Sequence, residues 1–321
     1  MTNVNIPNVG QIPNLPLGAV VETNATFRSN ELRPVMAGNI PDDIYALISR
    51  IVGEQLLMVE AATERDIEKN DKIAEELKAD IKETFSDMLE FLGNIPLTRS
   101  DCVIALGGGV VGDLTGFTAA TYLRGISYIQ IPTTLLAAVD SSVGGKTAID
   151  MEGIKNYVGA FHQPKRVIID PEVLKTLPKR HVSNGLAEAL KMAATFDEEL
   201  FSLFEEGEPT ENMERIIFRS VELKARVVEQ DEKEQGLRKV LNFGHTAAHA
   251  IETATGLGDL LHGECVALGI PPMCGEKIRD DVIAVLQNVG LPTEYIFAKS
   301  KVKEIISHDK KSQGGTISVV K

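Results

Sequence analysis

The chain has 321 residues, a net charge of −13 and a hydrophobic content of 43%. This length suits about two domains at roughly 150 residues each, and the composition is that of a globular protein with enough apolar residues to build a core. The acidic charge argues against nucleic acid or an anionic membrane as the main partner. An anionic ligand would therefore need a local basic cluster.

The cysteines and the lack of long apolar runs argue against a disulfide-rich, secreted or membrane-spanning protein. The three cysteines, Cys102, Cys265 and Cys274, form no CxxC spacing, so we predict neither disulfides nor a cysteine zinc site and expect three small buried residues. The sequence shows no signal-peptide pattern and no stretch near the ~18 apolar residues of a membrane helix. We expect a cytoplasmic protein.

The N-terminal third combines a segment rich in Asn, Pro and Gly with two predicted helices. Residues 1–20 are rich in Asn, Pro and Gly and are expected to be extended or looped. Apolar residues at helical spacing predict a helix over 41–66, and a second, highly charged helix is predicted over 68–92.

The pattern changes near residue 100. Three short apolar segments, DCVIALGGGVVGD, ISYIQIPTT and KRVIIDP, predict strands, and residues 171 to about 290 are almost wholly helical in pattern. Strands with intervening helices, followed by a helical half, predict an α/β nucleotide-binding domain with a Rossmann-like parallel sheet and then an all-α domain.

Two glycine-rich motifs indicate phosphate binding. In VIALGGGVVGD the glycines let the backbone turn tightly after a strand, so that the next helix directs its N-terminal amides at a diphosphate; tight strand–helix packing is the alternative explanation, and Asp113 could bind a ribose or cap a helix. Residues 139–161 combine Gly144 and Gly145 with two lysines, an asparagine and an aspartate in a stretch that reads as loop-rich. We interpret this stretch as an anion site, the alternative being ordinary solvated lysines.

A metal site is predicted from a glutamate and two histidines. Glu188, His245 and His262 offer the ligand set of a catalytic zinc with one open position. His245 and His249 are four residues apart and share a helix face.

These motifs together resemble the 3-dehydroquinate synthase family. The blocks ALGGGVVGDLTGFTAATYLRG, IPTTLLAAVDSSVGGKTAID, GIKNYVGAFHQP, LPKRHVSNGLAEALK, LNFGHTAAHAIE, LHGECVALG and HDKKSQGG occur in the family's order from about residue 94 to 321. The resemblance implies domains at 68–170, which would bind NAD, and at 171–321, a C-terminally shortened domain for metal and substrate, after an atypical segment at 1–67.

The resemblance also implies a role for each matching residue. The metal, zinc or cobalt, would be held by Glu188, His245 and His262. Catalysis and substrate binding would involve Asp140, Lys146, Lys191, Lys224, Glu234, Arg238, Asn242 and His249. NAD would contact Gly107, Gly108, Gly109, Gly112, Asp113, Thr133, Thr134, Lys146 and Lys155. The substrate phosphate would contact Asn156, Lys310, Lys311 and, across a homodimer interface, Arg124.

The implied reaction converts 3-deoxy-arabino-heptulosonate 7-phosphate to 3-dehydroquinate and phosphate, in the shikimate pathway. It proceeds by NAD-mediated oxidation, elimination, reduction and aldol closure, so NAD is regenerated in each turnover.

The N-terminal third departs from that family. Residues 1–66 resemble the C-terminal region of family 4 glycoside hydrolases, and residues 65–80 lack the string that holds the adenosine half of NAD. We therefore predict a chimera with a junction near 67–72, an apolar sheet edge left exposed and weakened NAD binding. The alternatives are an impaired relative, a related sugar-phosphate cyclase and a polyol dehydrogenase.

Overall fold

The computed structural model describes residues 84–95, 97–151, 154–206, 209–255 and 259–296, the strands at 2–7, 20–28, 31–34, 312–313 and 316–317, and residues 302 and 305. The chain divides into two compact units, Met1–Asp87 and Met88–Lys321. In the first unit, strands β1 (Thr2–Pro7), β2 (Val20–Arg28) and β3 (Glu31–Pro34) form an antiparallel sheet in the order β1-β2-β3. The helix predicted over 41–66 lies outside the described residues. Of the helix predicted over 68–92, the described part, residues 84–92, is helical, and the helix continues to residue 94.

The second unit begins with the predicted parallel sheet. Strands β4 (Cys102–Gly107), β5 (Ser127–Pro132) and β8 (Arg166–Val167) pair in parallel in the order β4-β5-β8, and helix α1 (Gly109–Thr121) connects the first two. Apolar residues Ala119, Ile126 and Tyr128 form a small core between α1 and β5. The sheet brings the glycine turn after β4 and the Pro-Thr-Thr turn after β5 to one edge, because both are carboxyl ends of neighbouring parallel strands.

One face of β4 is solvent-exposed. Ile104 is 58% and Leu106 is 55% exposed, and Val110 at the start of α1 is 68% exposed. Among the described residues β4 pairs only with β5. The sequence predicted an exposed apolar edge of this sheet; the described residues show an exposed apolar face of β4. It also explains why Cys102, on the same face, is exposed, against our prediction that it is buried; Cys265 and Cys274 are buried as predicted.

Residues 146–161 form a hairpin, and the prediction of a loop-rich stretch was wrong. Strands β6 (Lys146–Met151) and β7 (Ile154–Phe161) pair antiparallel, with Lys146 opposite Phe161. A side chain at Gly159 would place its Cβ 2.4 Å from the Thr147 carbonyl oxygen, so the close pairing requires glycine there. Gly144 and Gly145, the pair that suggested a loop, form the turn that precedes β6, with φ +107° and +64°.

The helical half forms the main core, as predicted. Its helices are α2 (Lys179–Phe196), α3 (Glu198–Glu205), α4 (Met213–Gln230), α5 (His245–Thr255), α6 (His262–Gly269) and α7 (Glu276–Asn288). Ten consecutive residues of α2, from Asn184 to Ala193, are buried, so this helix runs through the centre of the core rather than along its surface. Within the described residues, no helix is both long and apolar enough to cross a membrane.

We predict that Gly263→Ala destabilises the protein by about 1–3 kcal/mol, because overpacking forces backbone shifts. A Cβ at Gly263 would lie 2.0 Å from the Asn184 carbonyl oxygen, so α6 would be pushed away from α2. The matched control is Gly93→Ala, where no atom lies within 4 Å of the added Cβ; it should leave stability unchanged or slightly higher. Denaturant unfolding measures both, and equal stability of the two variants would contradict this packing.

Candidate active site

The site is built around a buried ion pair on α2. Glu188 and Lys191 are three residues apart, are 0% and 2% exposed, and the Lys191 ammonium donates a hydrogen bond to Glu188 Oε2. Burial opposes both charges, but each group stabilises the other, so the pKa of Glu188 lies well below its ordinary value and that of Lys191 is raised. Both groups are therefore charged at neutral pH.

Two histidines face the other oxygen of Glu188. His245 begins α5 and His262 begins α6, and their Nε2 atoms lie 3.4 Å and 3.2 Å from Glu188 Oε1. One ligand atom from each of the three residues lies within 4.8 Å of the others. The three metal ligands proposed from the sequence are thus brought together from three helices.

This donor set fits a divalent ion. Within the described residues, Glu188 Oε1 is fully buried and makes no well-directed hydrogen bond, which is costly for a carboxylate oxygen; its nearest polar neighbours are the two imidazoles. One carboxylate and two imidazoles, with an open fourth position, are the ligands of a catalytic zinc site. An ion between the three residues would satisfy the unpartnered oxygen.

The two histidines differ in their protonation. Burial, aided by Lys191, lowers the pKa of His245. Burial also opposes a charge on His262, but the carboxylates of Glu188 and Glu252 outweigh it and raise the pKa of His262 to about 9. In the metal-free protein, His262 therefore holds a proton at neutral pH that an ion must displace.

A cluster of buried cations lies near Glu188. Lys224 of α4 donates to the Asp140 carboxylate at 2.8 Å and to the Asp140 carbonyl oxygen at 2.6 Å. Arg238 is 1% exposed and donates to the carbonyl oxygens of Glu232 at 2.5 Å and Gly144 at 2.9 Å. Gly144 has φ +107° and a Cβ there would meet the guanidinium at 2.3 Å, so the turn requires glycine. Lys224 and Arg238 therefore add two buried cationic side chains near the Glu188–Lys191 pair, each held by protein acceptors.

Glu234 joins two further predicted residues. Its carboxylate accepts hydrogen bonds from Lys146 Nζ at 2.5 Å and from the Asn242 amide. Glu234 has a positive φ of 57°, a conformation that costs energy for a residue other than glycine and is often found at functional sites. The lysine at the start of the hairpin is thereby tied to the helical half.

The tip of the hairpin holds Lys155 and Asn156. Asn156 also has a positive φ, 50°, and its backbone N–H donates to Asp150 Oδ1 at 2.6 Å. Lys155 Nζ donates to Glu252 Oε1 of α5 at 2.6 Å. Of the two groups expected to bind anions, the Lys155 amine is thus held against α5 by Glu252, and Asn156 is held by Asp150.

The glycine turn fits the pyrophosphate end of a dinucleotide. Gly107 ends β4, Gly108 caps α1 without a side-chain hydrogen bond, and a Cβ at Gly108 would lie 3.0 Å from the Thr134 side chain. The Thr133 N–H donates to the Gly107 carbonyl oxygen at 2.9 Å, which fixes the Pro-Thr-Thr turn beside the glycines. Burial raises the pKa of Asp113 to about 7, against the lowering influence of Lys224.

The remaining predicted residues are less enclosed. The ring centroid of His249 lies 5.3 Å from that of His245 and 6.0 Å from that of His262, so it borders the metal cluster.

A Cβ at Gly109 would approach Ser141 Oγ to 3.1 Å and one at Gly112 would approach Gln130 to 3.0 Å. Arg124 is exposed and has φ +66°, while Lys310 and Lys311 lie outside the described residues.

The sequence analysis missed residues that hold His262 in place. Glu252 Oε2 lies 3.5 Å from His262 Nδ1. Glu252 follows His245 by seven residues on the same helix face, and this spacing could have identified it from the sequence. Asn184 Oδ1 accepts from the Gly263 N–H at 2.6 Å. Arg180 forms a two-point pair with Glu264 at 2.7 Å and 2.8 Å. No local sequence signal indicates these last two contacts, because they join α2 to α6 across about 80 residues.

The N- and C-terminal family models of 3-dehydroquinate synthase match residues 72–184 and 185–312. The chain is 49% identical over 240 residues to the 3-dehydroquinate synthase of Pelobacter propionicus, an alignment that covers 70% of this chain and 67% of the relative.

The chain belongs to the 3-dehydroquinate synthase family. It is also 45% identical over 252 residues to the 3-dehydroquinate synthase of Streptococcus gordonii, with 74% and 71% of the two chains covered. Residues 1–99 match the C-terminal domain of family 4 glycosyl hydrolases, which confirms the second resemblance of the N-terminal third.

Solved structures of sugar-phosphate cyclases share the fold. A 2-epi-5-epi-valiolone synthase from Streptomyces hygroscopicus, with NAD+ and Zn2+ bound, aligns with a TM-score of 0.65 and 30% identity over 70% of this chain and 68% of its own. A 2-deoxy-scyllo-inosose synthase with carbaglucose-6-phosphate, NAD+ and Co2+ aligns with a TM-score of 0.64 and 26% identity over 72% and 67% of the two chains. Members of the wider architecture with 18% identity, the maleylacetate reductases, show the fold alone.

We predict that zinc affinity rises with pH. The ion must displace a proton from His262, whose pKa is about 9 in the metal-free protein. The apparent dissociation constant should therefore fall about tenfold for each pH unit between 6.5 and 8.5. Competition with a chelator of known affinity measures it, with His262→Asn as a control that should bind weakly and with a flatter pH dependence. A wild-type affinity that does not change over this range would contradict the assignment of His262 as a ligand.

Proposed function

We propose that this chain acts as a 3-dehydroquinate synthase, converting 3-deoxy-arabino-heptulosonate 7-phosphate to 3-dehydroquinate and phosphate with NAD and a divalent zinc or cobalt ion. The observation that carries the proposal is the buried Glu188 carboxylate, whose unpartnered oxygen faces His245 and His262 beside a cluster of buried cations. The identity to curated synthases supports this substrate over those of other cyclases.

The buried cations suit a substrate with a carboxylate and a phosphate. Arg238, Lys191 and Lys224 are held in position by protein acceptors, so they need little reorganisation when an anion binds. The Arg238 Nε is buried and lacks a hydrogen-bond partner among the described residues, so it has a donor left for a ligand. We assign substrate binding to this cluster together with Asp140 and Asn242.

The hairpin and the glycine turn complete the binding surface. We assign the substrate phosphate to Asn156, with Lys310, Lys311 and a partner protomer's Arg124 as further contacts in a homodimer. We assign the pyrophosphate of NAD to residues 107–109 and the amide end of α1, where a Cβ would fill the space that the backbone needs. The domains of this arrangement are 68–170 for NAD and 171–321 for metal and substrate.

Bound NAD would supply a reversible hydride acceptor, and the ion a Lewis acid for a substrate hydroxyl. The chain's own residues orient the substrate and manage its protons. His249 borders the metal cluster and is exposed, so it can exchange a proton with the substrate. Lys146, paired with Glu234, holds a positive charge where the hairpin meets the helical half.

Two further candidates each have an observation in their favour. The likeness to the valiolone and inosose synthases favours a related sugar-phosphate cyclase. The exposed face of Ile104 and Leu106 favours an impaired synthase with weak NAD binding, because the residues expected to hold the adenosine lie in the part that matches the glycosyl hydrolase domain.

The test is phosphate release from 3-deoxy-arabino-heptulosonate 7-phosphate with and without NAD and zinc. We expect release that requires both and leaves no net NADH, with an NAD requirement well above micromolar concentrations. Lys146→Met should lower the rate by about 100-fold or more, because it removes a positioned charge from the site. The matched control is Lys175→Met, since Lys175 also pairs with a glutamate, Glu172, but on the surface.

The outcomes separate the candidates. Release only from another sugar phosphate would assign a related cyclase, and net NADH would indicate a polyol dehydrogenase. A folded protein that binds zinc and releases no phosphate at millimolar NAD would identify the impaired relative. Saturation at micromolar NAD would contradict the predicted weakening of the cofactor site.

A further inference from the structure

Glu252 contacts two parts of the site at once. It lies on α5 with its side chain 15% exposed, its Oε2 is 3.5 Å from His262 Nδ1, and its Oε1 accepts from Lys155 Nζ at 2.6 Å. His262 is a metal ligand of the proposed function, and Lys155 belongs to the hairpin to which that proposal assigns anion binding. One carboxylate therefore joins the metal cluster to the tip of the hairpin.

The ring of His262 lies between two carboxylates. Its Nε2 faces Glu188 Oε1 at 3.2 Å and its Nδ1 faces Glu252. A histidine that binds a metal through one nitrogen generally donates the other N–H to a carboxylate or carbonyl, which fixes the ring and its tautomer. Glu252 is placed to accept the Nδ1–H and so leave Nε2 for the ion.

The other end of the connection is also fixed. Lys155 precedes Asn156, whose left-handed backbone is held by the hydrogen bond to Asp150. Because the ammonium of Lys155 donates a hydrogen bond to Oε1 of Glu252, the carboxylate is oriented with Oε2 toward His262. A change at the tip of the hairpin would thus be transmitted to a metal ligand through one side chain.

We propose that Glu252 is a positioning residue that orients His262 for the ion and couples metal binding to Lys155. The proposal rests on the metal site of the proposed function. Coupling of this kind is reciprocal, so a ligand that engages Lys155 and an ion that engages His262 change each other's affinity by the same factor. His249, Glu252 and His262 also lie within 4.8 Å of one another, but the ion pair with Lys155 favours an orienting role over a second ion.

The test measures zinc affinity of the full chain by chelator competition, together with the visible spectrum of the cobalt-loaded protein. Glu252→Gln keeps the size of the side chain and removes its charge, and should weaken zinc binding about 10–100-fold and shift the cobalt spectrum. Glu252→Asp should recover part of the affinity. Lys155→Met, which leaves the contacts of His262 with Glu188 and Glu252 in place, should weaken zinc binding about threefold or more. Its effect should be smaller in the Glu252→Gln background, because the two act through one contact.

The matched control is Glu172→Gln, which breaks an exposed surface pair with Lys175 at 2.7 Å and should change neither affinity nor spectrum. A wild-type protein that binds one zinc ion, with both the Glu252→Gln and the Lys155→Met variants at unchanged affinity, would overturn this inference and leave the proposed function standing. Two zinc ions per chain, the second lost in Glu252→Gln, would overturn it in favour of a ligand role. No zinc binding by the wild type would overturn the metal site and this inference together.

Discussion

The structure depends on keeping an ionised carboxylate in the middle of a helical core. Glu188 is fully buried, and a charge there is tolerated only if it is paired and its oxygens are satisfied. Lys191 satisfies one oxygen from the same helix, while the other faces two histidines from α5 and α6. The three helices must therefore converge closely. Glycine at position 263 allows this, because the Cβ of any other residue there would overlap the backbone of α2. Packing and chemistry are set by the same contacts.

The sheet shows the opposite situation, with packing left incomplete. The glycine turn and the Pro-Thr-Thr turn, to which we assign the NAD pyrophosphate, are joined by a hydrogen bond, whereas Ile104 and Leu106 of β4 are exposed. Residues 1–99 match a glycosyl hydrolase domain, and the match to the synthase family begins only at residue 72. The residues that we assign to metal and substrate are thus buried among the helices, whereas β4, beside the residues that we assign to NAD, has an exposed apolar face.

Much of this could be predicted from the sequence, for identifiable reasons. The parallel sheet followed by helices was predicted because strand and helix periods differ, and Glu188, His245 and His262 because few residue types can bind zinc. The hairpin at 146–161 was not, since Gly144 and Gly145 form only the turn before β6, while Gly159 serves close packing within the strand pair. Cys102 was expected to be buried because cysteine usually is, but its environment depends on which strand lies beside β4. The contacts of Arg180 and Asn184 with α6 are tertiary and have no local pattern.

The central claim is that the three converging side chains form one metal site. The most direct measurement is a crystal structure of the zinc-loaded protein with anomalous diffraction collected on both sides of the zinc absorption edge. We predict one strong anomalous peak per chain, within about 2.0–2.2 Å of Glu188 Oε1 and of the Nε2 atoms of His245 and His262. A peak bound by other residues, or none in a folded protein at saturating zinc, would contradict it.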